Sequence, residues 1–324
     1  MIDHLGRTID YLRISLTDRC NFRCTYCMPD DVPDIGHDAV LRYEEILQIC
    51  RSAVAVGIRK FKITGGEPLV RLGAVDFMAA LQAMPGVEAV TITTNGFALA
   101  GVLPRLVNIG VDGINISLDT VRRDQFRQIT GVDGLATVLH AIEAAAASPI
   151  HTKINAVLLE ETKDDIIPLA KIAARLPVDV RFIEVMPIGL GTAAKGRTED
   201  EVLALLRQYW PDLLQTDEVR GNGPAVYYRS NALLGRIGFI AATTHRFCDT
   251  CNRMRLTSTG FLKPCLCYDL GVDLRQILRH VPSARQDAAL QQAFLQGAKE
   301  KPAQHCFDEQ QEITEQHTMN CIGG

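Results

Sequence analysis

The chain has 324 residues, 47% of them hydrophobic and 22% charged, which is the balance of an ordinary soluble globular protein and excludes disordered chains and coiled-coil rods. The net charge of −4 argues against a broad nucleic-acid-binding surface, although local basic clusters remain possible. No apolar run approaches the length of about 18 residues that a membrane helix needs, and the first residues lack the pattern of a secretory signal. We therefore expect a cytoplasmic protein with no nucleic-acid or membrane partner.

Short β-branched runs alternate with longer amphipathic stretches through the first two thirds of the chain. The predicted strands are residues 8–17, 60–64, 89–94, 113–119, 151–159 and 179–187. The predicted helices between them include residues 43–56, 74–83, 134–147 and 166–176. A repeated β-α order predicts a parallel sheet with right-handed crossovers. Because six such units are visible instead of eight, an open or partial (β/α)6 barrel is favoured over a complete barrel.

The pattern changes near Gly189. Residues 189–197 are rich in Gly and Ala and predict a loop, and residues 199–209 predict a helix. Residues 226–242 then predict an antiparallel hairpin that turns near Asn231. We place the boundary between about residues 189 and 225, and divide the chain into a core domain, 1–224, and an α+β C-terminal region, 225–324.

Three cysteines follow the first predicted strand with the spacing C-x3-C-x2-C, namely Cys20, Cys24 and Cys27. In a parallel barrel, this end of the strand carries the active-site loops. Three thiolates on one loop can hold three irons of a [4Fe–4S] cluster and leave the fourth iron open. The alternatives are three unrelated thiols or part of a zinc site, although zinc favours paired C-x2-C arms and four ligands.

The segment CNFRCTYC at residues 20–27 resembles the signature of the radical S-adenosylmethionine (SAM) enzymes, in which Tyr26 takes the aromatic position. The glycine-rich ITGGEP at residues 63–68 resembles the methionine-binding segment of that family. TTNG at 93–96 and SLD at 117–119 end the next two predicted strands, as the family pattern requires.

This resemblance implies that the open iron binds SAM and that cleavage of the S–C5′ bond yields a 5′-deoxyadenosyl radical. It assigns the SAM contacts to Tyr26, Gly66, Ser117 and Met186. For Met186, packing in the core is the alternative.

A second cysteine group has the spacing C-x2-C-x13-C and consists of Cys248, Cys251 and Cys265. With this motif, the chain resembles the GTP 3′,8-cyclase family of molybdenum cofactor synthesis from about Arg7 to its last residue. The resemblance implies a second [4Fe–4S] cluster with three cysteine ligands, whose open iron contacts the guanine of GTP.

Cys267 departs from that family, which usually has an aliphatic or aromatic residue at this position. A closed zinc ribbon of four cysteines therefore stays open as a structural or nucleic-acid-binding alternative. We expect Cys267 to be a free, packed thiol and Cys50, on the apolar face of a predicted helix, to lie in the core. Cys306 and Cys321 have no motif around them.

Basic residues provide a local site for a polyanion in an otherwise acidic chain. Arg253 and Arg255 share one side of an extended segment, where each can donate paired hydrogen bonds to phosphate; two solvated surface arginines are the alternative. Arg13 lies between apolar neighbours in the first predicted strand, and a buried arginine needs an anion. The resemblance assigns GTP binding to Arg13, Lys62, Thr93, Lys153, Arg253, Met254 and Arg255, and Arg181 is a further candidate.

The resemblance implies conversion of GTP to (8S)-3′,8-cyclo-7,8-dihydroguanosine 5′-triphosphate. The radical removes hydrogen from C3′ of GTP, the C3′ radical attacks C8, and the aminyl radical is then reduced and protonated. The resemblance also implies an external electron donor, a homodimer, and transfer of the product to cyclic pyranopterin monophosphate synthase.

It further gives the terminal Gly323-Gly324 a catalytic role, where a frayed chain end is the alternative. Two other functions remain open for the chain. One is a peptide-modifying radical SAM enzyme, a class with longer and more cysteine-rich C-terminal regions. The other is a zinc-binding scaffold without enzymatic activity.

Overall fold

A twelve-stranded sheet organises the computed structural model, which describes residues 1–29 and 35–323. The strands are β1 (Tyr11–Ser15), β2 (Lys60–Thr64), β3 (Ala89–Thr94), β4 (Gly113–Ser117), β5 (His151–Val157), β6 (Asp179–Ile183), β7 (Leu214–Thr216), β8 (Val226–Arg229), β9 (Ile237–Ile240), β10 (Arg253–Leu256), β11 (Phe261–Lys263) and β12 (Val272–Asp273). The helices are α1 (Tyr43–Ala55), α2 (Ala74–Gln82), α3 (Leu99–Asn108), α4 (Arg123–Thr130), α5 (Leu135–Ala146), α6 (Ile166–Arg175), α7 (Glu199–Tyr209), α8 (Leu274–His280) and α9 (Ser283–Lys299).

Strands β1 to β6 are parallel neighbours in chain order, so the predicted series of β-α units is confirmed. The open barrel is extended at both edges: β9 pairs parallel with β6, and β10 pairs parallel with β1. Antiparallel strands continue the sheet outward from each, and the predicted hairpin is confirmed as β8 and β9. Residues from the end of the chain therefore lie directly beside its first strand.

Alternation along the strands separates an apolar outer face from a polar inner face. In β3, Val90 and Ile92 are fully buried in the main apolar core. Thr91 and Thr93, which alternate with them, are only partly buried and face the interior of the barrel. The same period of two places Arg13 of β1 and Lys62 of β2 opposite their core-facing neighbours. The apolar residues of the strands and helices thus build the core, and the polar residues between them line the barrel.

The sixth predicted strand was too long, because β6 ends at Ile183. The Glu184 carboxylate then accepts hydrogen bonds from the backbone N–H groups of Thr243, 2.9 Å, and Thr244, 3.0 Å. This carboxylate therefore anchors the loop that follows β9 beside the end of β6.

Helix α9 fastens the C-terminal region to the barrel by packing against α1. Helix α9 also lies close to β10, because a Cβ atom at Gly297 would lie 2.6 Å from Cε of Met254. Among the described residues, no single helix has the length and apolarity to span a membrane; α4 and α5 together meet such a test, but they are bent by 100° to one another.

Candidate active site

A cavity of about 320 Å³ lies at the carboxyl ends of the parallel strands. Loops after β1 to β6 form one wall, and the segments around β10, β11 and the tail after α9 form the other. Both cysteine groups and most of the predicted basic residues line it. Its volume is in the range of small-molecule sites.

The first cysteine loop has a compact, anchored backbone. The carbonyl oxygen of Cys24 accepts hydrogen bonds from the N–H groups of Cys27, 2.9 Å, and Met28, 3.0 Å. Arg23 N–H and Thr25 N–H donate to carbonyls at the end of α4, at 2.8 and 3.0 Å. This anchoring holds Cys20, Cys24 and Cys27 on the cavity wall.

Burial makes these three thiols poor thiolates in the absence of a metal. It raises the pKa of Cys24 well above its ordinary value, and with the nearby charges of Cys20 and Asp119 it raises the pKa of Cys27 to about 12. Metal binding would therefore release protons from the loop.

In the part of the chain that the structure describes, the cysteine sulfurs are not preassembled around a single metal ion. Among the described residues, which include all ten cysteines, no three cysteine sulfurs lie within 4.8 Å of one another. Thiolates around one zinc ion, with Zn–S bonds of about 2.3 Å, are only about 3.8 Å apart. Within the described ranges, Cys248, Cys251, Cys265 and Cys267, which were considered for a closed zinc ribbon, are therefore not gathered around a single point.

The loops after β2, β3 and β4 meet the cysteine loop through hydrogen bonds. The hydroxyl of Tyr26 donates to Asp119 Oδ2 at 2.7 Å, and Asp119 Oδ1 accepts from Val157 N–H at 2.8 Å. Gly66 N–H donates to Thr17 O at 2.7 Å, and a Cβ on Gly66 would lie 2.4 Å from the carbonyl oxygen of Arg19. Only glycine permits this approach, which gives the GGEP segment a structural reason for its sequence.

The predicted SAM contacts are thus brought together. Tyr26, Gly66, Ser117 and Met186 all line the cavity. Met186 is half-buried and also packs against a small apolar cluster that contains Ile188 and Leu266. Met186 therefore has both of the predicted environments: it lines the cavity, and it packs against apolar residues.

The second cysteine group is held by the tail after α9. The N–H of His305 donates to Cys248 Sγ at 3.4 Å. Lys301 Nζ donates to the carbonyl oxygens of Arg253, 2.9 Å, and Pro264, 2.6 Å, so it joins the arms that carry Cys251 and Cys265. Burial raises the pKa of Cys251, but the charges of Lys301 and Arg253 outweigh it and lower that pKa to about 7.

Cys267 lies outside the group that lines the cavity. It is fully buried, as expected, in the small apolar cluster, and its sulfur is 2.9 Å from that of Cys306. Cys50 lies in the main core, also as expected.

Strand register sets the predicted cations side by side inside the barrel. Arg13 of β1 pairs with Arg255 of β10 on one side and with Lys62 of β2 on the other. Across the next strands, Thr93 pairs with Asn115, and Asn115 pairs with Lys153.

These buried cations depress one another's pKa values. Burial, together with the smaller effects of the charges of Arg253 and Arg181, lowers the pKa of Arg13 to about 10. Burial and the neighbouring Arg181 lower the pKa of Lys153 to about 7. Burial and the surrounding cations also bring the pKa of Lys62 well below its usual value. An anion of high charge would offset this repulsion.

Several of the predicted residues lie apart from the main cavity lining, among them Arg181, which lines the same adjoining cavity as Lys153. The Met254 side chain packs in the core on the opposite side of β10 from Arg253 and Arg255. Lys153 lines an adjoining cavity of about 170 Å³ and donates to the carbonyl oxygen of Arg220. Gly323 reaches the basic strand residues, as Arg255 Nη1 donates to its carbonyl oxygen at 3.1 Å; Gly324 lies outside the described residues.

Comparison with known proteins places this site in a family. The Radical SAM superfamily matches residues 14–173, and Molybdenum Cofactor Synthesis C matches residues 178–307. A GTP 3′,8-cyclase of Clostridium perfringens is 41% identical over 326 residues, covering 100% of both chains. The chain belongs to the GTP 3′,8-cyclase family. Another member, from Heliobacterium modesticaldum, is 42% identical over 330 residues and also covers 100% of both chains.

Solved structures resemble this GTP 3′,8-cyclase family member in fold. Streptococcus suis SuiB has a TM-score of 0.64 and 14% identity, covering 97% of this chain and 77% of its own. Native anSMEcpe with bound AdoMet has a TM-score of 0.57 and 17% identity, covering 91% of this chain and 92% of its own. The predicted radical SAM fold is confirmed. Membership of this superfamily implies one [4Fe–4S] cluster and SAM, and the cavity wall carries three thiols that could hold such a cluster, those of Cys20, Cys24 and Cys27.

Several residues that line the cavity of this cyclase-family chain were not predicted from the sequence. Asn115 and Asn155 could have been found from their alternation with buried apolar residues in GINIS and KINAV. Lys301 and His305 carry no such signal, because their positions depend on how the tail after α9 folds back over the cysteines.

Proposed function

We propose that this chain converts GTP to (8S)-3′,8-cyclo-7,8-dihydroguanosine 5′-triphosphate in the first step of molybdenum cofactor synthesis. The observation that carries the proposal is the joint position of two cysteine triplets and a layer of buried cations in one cavity. A radical enzyme that cyclises a nucleoside triphosphate needs all three within reach of one substrate.

Cys20, Cys24 and Cys27 would hold the first cluster, which when bound supplies the electron that cleaves SAM. Tyr26, fixed by its 2.7 Å hydrogen bond to Asp119, and Ser117 offer oxygen atoms at the cavity wall for polar groups of SAM. Gly66 keeps the backbone of its loop close to the cysteine loop and free of a side chain. Met186 completes the apolar part of this wall.

The triphosphate of GTP would bind among Arg13, Lys62, Arg253 and Arg255. Guanidinium groups donate paired hydrogen bonds to phosphate oxygens, and burial strengthens each such contact. Lys153 and Arg181 would approach from the adjoining cavity, Thr93 would contribute from the main cavity, and Met254 would contribute through its backbone. The lowered pKa values of Lys62 and Lys153 rise again when a polyanion is bound, so the cations become fully charged as the substrate enters.

Cys248, Cys251 and Cys265 would hold a second [4Fe–4S] cluster next to the guanine. The low pKa of Cys251 favours the thiolate that iron requires. Lys301 holds the two arms of this group together through the carbonyls of Arg253 and Pro264. The tail brings His305, Phe307 and Met319 to the cavity, and its Gly323 accepts a hydrogen bond from Arg255. In this proposal the tail would exclude water from the radical, and Gly323 would support catalysis.

The remaining expectations are part of the same proposal. They are a core of residues 1–224 with a C-terminal region of residues 225–324, an external electron donor, a homodimer and a cytoplasmic location. The product would pass to cyclic pyranopterin monophosphate synthase, because an enzyme that releases a cyclised triphosphate needs a second activity to rearrange it.

The test uses anaerobically purified protein with SAM, GTP and a chemical reductant. We expect about eight iron atoms per chain, as two four-iron clusters require, and formation of 5′-deoxyadenosine with an equal amount of cyclised GTP. The matched control replaces exposed Arg105 with Ala and should behave as the unaltered protein. Formation of 5′-deoxyadenosine while GTP remains intact would contradict the proposed substrate and favour a peptide-modifying enzyme. Zinc in the C-terminal half would favour a scaffold.

A further inference from the structure

Two thiols face each other outside the cavity. Cys267 Sγ and Cys306 Sγ are 2.9 Å apart, and the N–H of Cys306 donates to Cys267 Sγ at 3.4 Å. They lie 39 positions apart along the chain. Neither residue belongs to the lining of the main cavity, and the proposed cyclisation gives neither of them a role.

The two cysteines differ in access to solvent. Cys267 is fully buried against Ile188, Ala242 and Phe307 in the small apolar cluster, whereas Cys306 is half-exposed. A small reagent can therefore reach the pair from the side of Cys306. Exposed thiols next to a buried partner have the arrangement of an attacking and a resolving cysteine.

Hydrogen bonds already hold the segments around the two cysteines in place. The carbonyl oxygen of Cys267 accepts a hydrogen bond from Glu315 N–H at 3.2 Å, and the hydroxyl of Tyr268 donates to Gln304 O at 3.3 Å. Because the sulfurs are 2.9 Å apart and a disulfide measures about 2.05 Å, bonding requires a movement of less than about 1 Å.

The pair connects two segments that both reach the cavity. Cys267 lies two residues after Cys265, on the arm that carries this cavity residue. Cys306 follows His305, whose N–H donates to Cys248 Sγ at 3.4 Å. A covalent bond here would fasten the tail after α9 to the segment that carries Cys265, at the cavity wall.

We propose that Cys267 and Cys306 form a disulfide-forming site that is oxidised reversibly by low-molecular-weight disulfides and locks the C-terminal tail over the cavity. The site depends only on the two thiols and their neighbours, so it stands independently of the cyclisation of GTP. It also explains why a cysteine follows Cys265-Leu266 in this chain, where the pattern for the second cluster needs none.

The exchange has two steps. The Cys306 thiolate attacks one sulfur of the small disulfide, breaking its S–S bond and releasing one thiol. The Cys267 thiolate then attacks Cys306 in the mixed disulfide, forming the internal bond and releasing the second thiol. The protein gives up two electrons and two protons, the small disulfide becomes two thiols, and excess small thiol reverses both steps.

Peptide mapping of the full-length holoprotein tests the proposal. The protein is incubated anaerobically in buffers of graded glutathione disulfide and glutathione, its free thiols are then alkylated, and the denatured protein is digested with trypsin. Cys267 falls in the peptide of residues 256–275, and Cys306 falls in the peptide of residues 300–324, because trypsin does not cut the Lys-Pro bonds at residues 263 and 301. The expected product is a cross-linked pair of these peptides that has lost two hydrogen atoms and disappears on reduction.

Each of these peptides contains a second cysteine, so variants assign the bond. Cys306→Ala and Cys267→Ser should each abolish the cross-link, whereas Cys321→Ser should retain it. Cys306→Ala decides the outcome if Cys267→Ser fails to fold, since Cys306 is half-exposed.

Three outcomes would overturn the inference: complete alkylation of both thiols in every buffer, a glutathione adduct on Cys306 with no cross-link, or a cross-link that persists in Cys306→Ala. The cyclisation assay is a separate readout. A protein that forms the cross-link but leaves GTP intact would contradict the proposed function alone.

Discussion

Arg255 Nη1 donates a hydrogen bond to the carbonyl oxygen of Gly323 at 3.1 Å, which brings the end of the chain to the basic layer of the barrel. Gly323 has φ +76°, in the left-handed region that favours glycine. A Cβ there would also lie 3.4 Å from side-chain atoms of both Ser15 and Thr64. The tail is therefore fitted to the ends of β1 and β2.

Alteration of the tail should uncouple binding from catalysis. We expect Gly323→Ala with Gly324→Ala to retain iron and GTP affinity but to reduce cyclised product sharply, because a residue with a side chain resists the angle at Gly323. The measurement is product formation under strict anaerobiosis. Gly110→Ala is the matched control, since Gly110 has a similar φ of +71° but no atom within 4 Å of its added Cβ. A rate equal to that of the unaltered protein would show the tail to be dispensable.

Removal of any first-loop cysteine should stop SAM cleavage. Cys20→Ser, Cys24→Ser or Cys27→Ser leaves two thiolates on the loop, which cannot hold three irons of a cube. We expect loss of about half the iron and no 5′-deoxyadenosine, with the second group intact. Cys50→Ala, in the main core, should retain both iron and cleavage. Continued formation of 5′-deoxyadenosine in a Ser variant would end this assignment.

Cys265 and Cys267 should respond differently to the same substitution. Cys265→Ser removes a residue of the cavity wall and should lose about half the iron, as expected when one of two four-iron clusters is lost. Cys267→Ser alters a thiol that lies outside that lining, and should keep full iron content and activity. Iron analysis and product formation measure both. Equal losses from the two variants would restore a site with four cysteine ligands.

Arg253 and Arg255 should each strengthen GTP binding. A charge-assisted hydrogen bond is worth about 1.5–3 kcal/mol, so either Ala variant should weaken binding by roughly tenfold or more. Uncoupled SAM cleavage should persist, because neither arginine belongs to the first cysteine loop. Calorimetry of GTP binding checks the affinity, with Arg105→Ala as the surface control. If both single variants bind GTP with unchanged affinity, Arg253 and Arg255 have no role in GTP binding.

Lys301 should tune the reduction potential of the proposed second cluster. Its Nζ is the positive group that joins the two arms of this site, and a nearby cation favours the reduced, more negative state. We expect Lys301→Met to lower the midpoint potential by the order of 50 mV, about a tenfold change for a one-electron couple. Redox titration monitored by electron paramagnetic resonance checks this. Exposed Lys299→Met, two residues away, is the control and should not move the potential.

The sequence predicted the parts of this molecule that depend on local pattern. The two helices α1 and α7 and the strands β2 and β3 match their predicted ranges within one residue, because apolar periodicity and capping decide them locally. The cysteine spacings identified both metal-binding candidates for the same reason.

Long-range pairing was beyond that reasoning. The alignment of Arg13 with Arg255 follows from parallel pairing of β1 with β10, about 240 positions later, which no local pattern records. The contact of Cys267 with Cys306 likewise depends on the path of the tail. The motifs thus gave the chemical groups, and only the folded chain showed which of them are neighbours.

The pairing of β1 with β10 also has a consequence for synthesis on the ribosome. One edge of β1 stays uncovered until Leu256 has emerged, so its open N–H and C=O groups can pair with other nascent chains in the meantime. A chain truncated before β10 leaves this edge of β1 unpaired and should aggregate. A chain truncated after α9 still has β10 and should not aggregate. The last fifth of the protein supplies β10, which covers the open edge of β1. Its synthesis therefore ends the period in which this edge can pair with other nascent chains.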